Sequence, residues 1–332
     1  MINQTTVRYG DVVFATGDGT LIAASVVKSR KKKGGSATIT LRDPRLELAN
    51  LLPIPARDAR VILSIAWGEQ GSQQRVFEGY AVTFSVDAKS REITISATDK
   101  SKVARRVERA RNRTGLTLEA LAKQIADDSE LTLDAPRAAL AKVRPFSSLL
   151  QHGETDWDLL TRLCDGVGID CWVDGSTLYL REVGAVADDL LPKRFAAGDD
   201  RIIGFTIDIE EKTRRTTSNV VNLRGERVFD SSDEAQQSKV MLSRTGVLLA
   251  SEDTPTYTDQ TVDLALMAGA KQRKVFTAQL EVAPGEPDTE LRWKLFIEGF
   301  GARFDGVWVI DEVTLDCTKD RTKYKLYSDG AA

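Results

Sequence analysis

The sequence predicts a mainly β protein with an α+β insertion: two antiparallel β-barrels joined by a middle α/β domain. Two observations predict it. Period-two alternation of apolar and polar residues fills the first hundred positions and returns after about residue 200, and clear helical spacing lies mostly between these regions. A chain of 332 residues also holds two or three domains at roughly 100–200 residues each. We place the boundaries at 1–100, 101–198 and 199–332.

In the first region the alternating stretches are "TVRYGDVVFA", "TLIAASVVKS", "SATITLRD", "RVILSIAWG", "RVFEGYAVTFSVD" and "REITISATD". Gly, Asp and Lys clusters separate them, which is the grammar of half-buried antiparallel strands closing into a small barrel or a sandwich. Only "DPRLELANLLP" reads as a helical turn.

The middle region opens on the arginine-rich "SKVARRVERARNRTG". "LTLEALAKQIADDSEL" follows, with Leu118, Leu121, Ala122 and Ile125 at helical spacing. The residues that follow, "APRAALAKVRPFSSLLQHGETDWD", break into shorter pieces. In residues 151–182 Thr155 and Asp158 form a start like a capping box, with acidic Asp156 and Asp158 at the positive end of the helix. Trp157, Leu160, Leu163, Cys164 and Val167 make one apolar stripe, and Gly166 and Gly168 end the helix. "GIDCWV" and "TLYLRE" alternate on either side of "DGS", the turn chemistry of a hairpin. The expected unit is a helix laid on a β-ribbon, with Thr155, Trp157, Asp158, Leu160, Leu163 and Val167 as its packing and capping residues.

The third region gives "RIIGFTIDIEE", "SNVVNLRGERVF", "KVFTAQLEVAPG", "ELRWKLFIEGFG", "GVWVIDEVTLDCT" and "TKYKLYS" as strands. A helix over 257–275 interrupts them, with Val262, Leu266 and Ala270 four apart. Identity between this region and the first is too weak to establish a repeat, although strands around a short helix make two related barrels a reasonable architecture.

A net charge of −3 argues against wholesale binding to nucleic acid or anionic membrane. No signal peptide and no apolar run of about 18 residues is visible. Cys164, Cys171 and Cys317 match neither a disulfide framework nor a zinc spacing and read as buried free thiols. The single histidine, His152, precedes the helix cap and is read as a polar loop residue; no Gly-x-Ser-x-Gly elbow, phosphate loop or second metal-ligand cluster accompanies it. No catalytic residue, metal site or cofactor is assigned, and the chain is not expected to be an enzyme.

Two basic clusters remain. Lys28, Arg30, Lys31, Lys32 and Lys33 lie between two strands, and Arg105, Arg106, Arg109, Arg111 and Arg113 open the middle region. Neither is interleaved with stacking aromatics, so contact with an acidic surface of a neighbouring protein is preferred over a solvated hairpin tip or single-stranded nucleic acid.

Five stretches, in order, resemble the late-control protein D family of phage tail hub proteins, akin to the hub part of contractile injection systems and type VI secretion spikes. They are "VFEGYAVTFSVDAKSREITISATDK", "GLTLEALAKQIADDSEL", "GETDWDLLTRLCDGVGIDCWVDGSTLYL", "SNVVNLRG" and "FGARFDGVWVIDEVTLD". They run from about residue 75 to the end. The chain departs from the family in carrying Leu315 and Asp316 where members often have a histidine, and its basic loop 28–35 matches no family pattern. With no needle or enzymatic domain after residue 332, a spike or lysozyme is expected on a separate polypeptide.

The resemblance implies a structural baseplate hub with two tube-like barrels. It implies a homotrimer that adapts a six-fold tail tube to a three-fold spike, forms part of the central channel, and is assembled in the host cytoplasm into the virion tail baseplate. The implied partners are the tube or tube-initiator protein, the central spike, the tape measure protein and other baseplate proteins, with no membrane and no sequence-specific nucleic acid. The alternative from another class is a tail-associated cell-wall hydrolase.

Overall fold

A computed structural model describes residues 3–30, 34–55, 61–69, 72–113, 115–136, 140, 149–166, 169–182, 192–209, 219–221, 227–230 and 276–328. The first region forms β1 (Asn3–Tyr9), β2 (Val12–Ala15), β3 (Leu21–Ser29), β4 (Ser36–Arg42), α1 (Leu48–Leu51), β5 (Ile62–Glu69), β6 (Gln74–Asp87) and β7 (Glu92–Asp99). A 3₁₀ turn at Lys100–Lys102 leads into β8 (Glu108–Asn112), α2 (Leu118–Asp128), β9 (Thr132–Asp134), β10 (Leu150–Thr155), α3 (Asp156–Gly166), β11 (Ile169–Asp174) and β12 (Thr177–Glu182). The last region holds β13 (Lys193–Ala196), β14 (Ile202–Ile209), β15 (Asn219–Val221), β16 (Arg227–Asp230), β17 (Phe276–Val282), β18 (Lys294–Glu298), β19 (Gly306–Asp316) and β20 (Arg321–Ser328). The helix expected over 257–275 lies outside the described residues. No helix among them is long and apolar enough to cross a membrane.

The protein is mainly β, as the alternation predicted, but the middle region does not separate the two strand-rich regions. They meet directly in one curled sheet ordered β14-β17-β20-β19-β3-β4-β7-β6-β5-β1-β2, with β13 and β18 branching from β19. The joint is the antiparallel pairing of β3 with β19, Ser25–Ser29 against Asp316–Glu312. Side contacts reinforce it: the Thr5 hydroxyl donates to the Cys317 carbonyl at 2.6 Å, and Trp67 lies so close over Gly285 that a Cβ there would fall 2.3 Å from its ring.

Backbone register reveals a duplication that residue identity hides. The β6–β7 hairpin closes at Asp87↔Glu92 and the β19–β20 hairpin at Asp316↔Arg321; the residue before each second strand, Arg91 or Asp320, has positive φ. Both hairpins bulge at the same step, between Ala81 and Thr83 and between Ile310 and Glu312. β3 on β4 bulges between Leu21 and Ala23, and β14 on β17 between Ile202 and Gly204. The quartets β3-β4-β7-β6 and β14-β17-β20-β19 are therefore two versions of one ladder, each with a further strand, β5 or β18, against the first part of its long strand. Burial follows the same parity: Ile93, Ile95 and Ala97 are buried, and so are Thr322, Tyr324 and Leu326. Alternation sets which face is inward, so register survives where side chains differ.

The middle region has its own core. Leu118, Leu121, Ala122 and Ile125 of α2 meet Trp157, Leu160 and Leu163 of α3 and Ile169, Cys171 and Val173 of β11. β8, unread in the arginine-rich sequence, pairs with β10, and β9 lies parallel to β12.

Candidate functional site

The site built from the sequence's marked residues is the helix–hairpin module and its seat on the sheet. α3 starts as the capping pattern predicts: the Asp158 N–H donates to the Thr155 hydroxyl at 3.1 Å, and that hydroxyl donates to the Asp158 carboxylate at 2.6 Å. Trp157, Leu160 and Leu163 are buried as the stripe required; Val167 lies outside the described residues. Cys164, Cys171 and Cys317 are free and buried. Contact with Cys171, together with burial, pushes the Cys164 thiol well above its ordinary range.

Three of the five arginines of the second basic cluster, Arg105, Arg109 and Arg113, turn inward, while Arg106 is exposed. The Arg105 guanidinium stacks 4.8 Å from the Trp157 ring centre, and its Nε donates to the Ser101 hydroxyl at 3.0 Å. Arg109 and Arg113 both bind the buried Asp156 carboxylate, each at 3.1 Å, and Gln151 donates to the same group at 3.0 Å. Arg111 stays exposed on β8, opposite Gln151 on β10. Asp156 therefore does more than face the helix dipole: it neutralises two cations in a site where an unpaired charge is costly. The local signal went no further than a carboxylate adjoining a tryptophan at the head of an apolar stripe; its meeting with Arg113, 43 residues away, is a tertiary fact.

The first cluster divides. Lys31, Lys32 and Lys33 lie outside the described residues. Arg30, by contrast, is 4% exposed, so it is not offered to an outside surface as the loop reading expected. Its Nε and Nη2 donate to the Leu291 carbonyl at 3.0 and 2.6 Å, its Nη1 lies 3.5 Å from Asp170, and its plane covers Trp172 at 5.0 Å. The planar fork donates twice to a carbonyl, pairs at longer range with a carboxylate and stacks on a ring, a combination that a lysine cannot make. Lys28 reaches Asp174 at 3.1 Å.

These contacts seat the hairpin over the β3·β19 joint. β11 has two working faces: Cys171 and Val173 face the module's core, while Trp172 enters the sheet's core and stacks on Tyr179 at 5.3 Å. A cleft of about 710 Å3 remains where Arg30, Ser36, Thr161, Asp165, Asp170 and Glu312 converge from strands, helix and hairpin.

Asp99, at the end of β7, escaped the sequence reading. It is fully enclosed and accepts from the N–H groups of Gly35 and Ser101 and from the Ser101 hydroxyl, with Arg105 beside it. Burial pushes its carboxyl up to about 6 despite those donors and that cation. Gly34, at positive φ, has no room for a side chain: a Cβ would fall 2.8 Å from the Asp99 carboxylate. Two glycines after a lysine run and an aspartate ending a strand were the available clue, but their meeting is a tertiary fact.

The described residues thus form a helix–hairpin module fastened across a duplicated, curled sheet. The profile of the phage tail baseplate hub family (GPD) matches residues 35–320. The chain belongs to that family. The fold also resembles the 43 kDa tail protein of prophage MuSo2 from Shewanella oneidensis, at TM-score 0.66 and 13% identity over 99% of this chain and 98% of that one. A tail protein from Neisseria meningitidis MC58 is similar at TM-score 0.64 and 16% identity, with the same coverage of each chain. An Escherichia coli component of the type VI secretion system follows at 0.56 and 9% identity, over 96% of this chain and 76% of that one. No curated protein matches by sequence. At these identities the structural neighbours establish shared fold, while the family rests on the profile.

Proposed function

We propose that the protein is a non-enzymatic structural hub of a contractile-tail baseplate, a homotrimer joining a six-fold tube to a three-fold spike and enclosing part of the central channel. The observation that carries this reading is the duplicated ladder in a chain of the hub family. Two equivalent quartets per chain give three copies six similar units, so six-fold contacts on one face coexist with three-fold contacts on the other. On this reading each quartet with its added strands is a tube-like unit, the helix–hairpin module braces their joint, and the partners are tube or tube-initiator, spike, tape measure and neighbouring baseplate proteins in the virion tail.

The test is the solution mass of the full chain by light scattering, alone and with its spike protein. A trimer, or a monomer that becomes a trimer on adding spike, supports the hub. A monomer indifferent to spike, together with clearing of cell-wall substrate, overturns it in favour of a hydrolase.

A further inference from the structure

Two of the three cysteines meet where the helix–hairpin module faces the sheet. Cys164 sits in the last turn of α3 and Cys171 near the start of β11, and their thiols are in hydrogen-bond contact. Both belong to the module's core, yet they are not equally enclosed. Cys164 is 0% exposed, whereas Cys171 is 5% exposed and forms part of the wall of the cleft over the β3·β19 joint. The Arg105 guanidinium stands within electrostatic reach of the Cys171 sulfur.

We infer that Cys164 and Cys171 form a paired thiol modification site, in which Cys171 takes a small disulfide of the oxidised-glutathione class from the cleft and Cys164 resolves the adduct into a Cys164–Cys171 link. The Cys171 thiolate attacks one sulfur of the incoming disulfide, forming a mixed disulfide and releasing one small thiolate, which takes up the proton that Cys171 gave away. The Cys164 sulfur then attacks that of Cys171. The bond to the small molecule breaks, and its second half departs as a thiol with the proton of Cys164. Two protein thiols are oxidised, and one small disulfide is reduced to two thiols.

The surroundings assign the two roles. A cleft of about 710 Å3 is large enough for a small peptide, and its wall carries both signs of charge, Arg30 with Asp165, Asp170 and Glu312, as a zwitterionic ligand requires. An electropositive neighbour such as Arg105 is what a reactive thiol ordinarily has. Cys164 holds its proton until the second step, because contact with Cys171 and burial push its thiol well above the ordinary range. Cys317 is not part of the cleft wall: it is buried, its backbone bonded to Thr5 and Ala24. The link would staple α3 to β11, the two elements whose packing builds the module's core. A hub assembled among reduced thiols and then released outside the cell would meet the oxidant there, and its module would be braced without an enzyme. That consequence rests on the hub reading, whereas the link itself does not.

The test exposes the folded full chain to oxidised glutathione, quenches it with acid, unfolds it in iodoacetamide and measures its intact mass. Expected is one alkylated cysteine, Cys317, in place of three, with the other two joined and two hydrogens lost. Cys164→Ser is expected to stop with one glutathione on Cys171, and Cys171→Ser to take up glutathione at least tenfold more slowly, both with the circular dichroism of the wild type. Where either variant fails to fold, the wild-type count decides. Three alkylated cysteines in the folded wild type, glutathione retained there without a link, or Cys317 modified first would each overturn the site. A chain that forms the link but stays a monomer indifferent to spike supports the site and overturns the hub reading alone.

Discussion

The two quartets of the sheet share hydrogen-bond register, bulges and hairpin turns, yet differ sharply in what fills them. Tyr80↔Thr98 in one corresponds to Val309↔Tyr327 in the other, so the preceding residues, Gly79 and Trp308, are equivalent. At Gly79 a Cβ would fall 2.2 Å from the Thr98 carbonyl oxygen; Trp308 is buried and donates to the Phe304 carbonyl at 3.0 Å. What is duplicated is the parity of the strands and the position of their irregularities. The cores on which they rest are separate solutions.

The comparison can be broken most severely at that position. Trp308→Ala is expected to cost about 3–5 kcal/mol through the cavity it leaves. Gly79→Ala, a change of opposite sense at the equivalent site, is expected to cost about 1–3 kcal/mol by crowding the ladder. Urea unfolding of both variants checks this, and an unchanged midpoint for either would show that the halves tolerate each other's packing.

A sharper test sets Leu315→Ser against Val86→Ser. The first removes a buried side chain from the internal joint and should destabilise the single chain by about 3 kcal/mol. Val86→Ser should shift chain stability by less than about 1 kcal/mol, since its site is open there. Thermal melts at low protein concentration separate the two, and equal losses would contradict the difference in burial between Leu315 and Val86.

Asp99 belongs to the first ladder alone; its counterpart ending β20 is Ser328. Burial raises its carboxyl from the ordinary carboxylate range to about 6 in the folded chain, so the folded state binds the proton more tightly than the unfolded state does. Its contribution to stability is full below the unfolded value near 4 and is lost as pH rises through about 6. The stability of the wild type minus that of Asp99→Asn should therefore increase by at least about 1 kcal/mol between pH 7 and pH 4.5. Denaturant titrations at the two pH values measure it; a difference that falls with acid contradicts the assignment. At the small end, Lys123→Ala removes an exposed pair with Asp127 on α2 and should cost only about 0.3 kcal/mol by the same titration.

Local patterning made the strands, the cap at Thr155 and the α3 stripe legible, because each depends on neighbours a few residues away. The duplication was not legible: Ile93 and Thr322, or Ile95 and Tyr324, occupy equivalent buried sites without resembling each other. Arg30, Arg109 and Arg113 misled for a related reason. Charge runs ordinarily face water, and only folding brings Asp156 to Arg109 and Arg113, or Trp172 and the Leu291 carbonyl to Arg30. Trp157→Ala is accordingly expected to impair folding and assembly, through lost packing and the lost Arg105 stack.

The pairing of Ser25–Ser29 with Glu312–Asp316 also sets a timetable for biosynthesis. At about 5–20 residues per second, β3 leaves the ribosome roughly 15–60 s before β19 exists to cover it. Through that interval its bare edge can recruit another nascent chain. Lys28 at the end of that strand and Arg30 just beyond it place positive charge beside the waiting edge. The residues that later clasp Asp174 and Trp172 thus put charge, of the kind that blunts strand edges in general, next to an edge left bare while translation is under way.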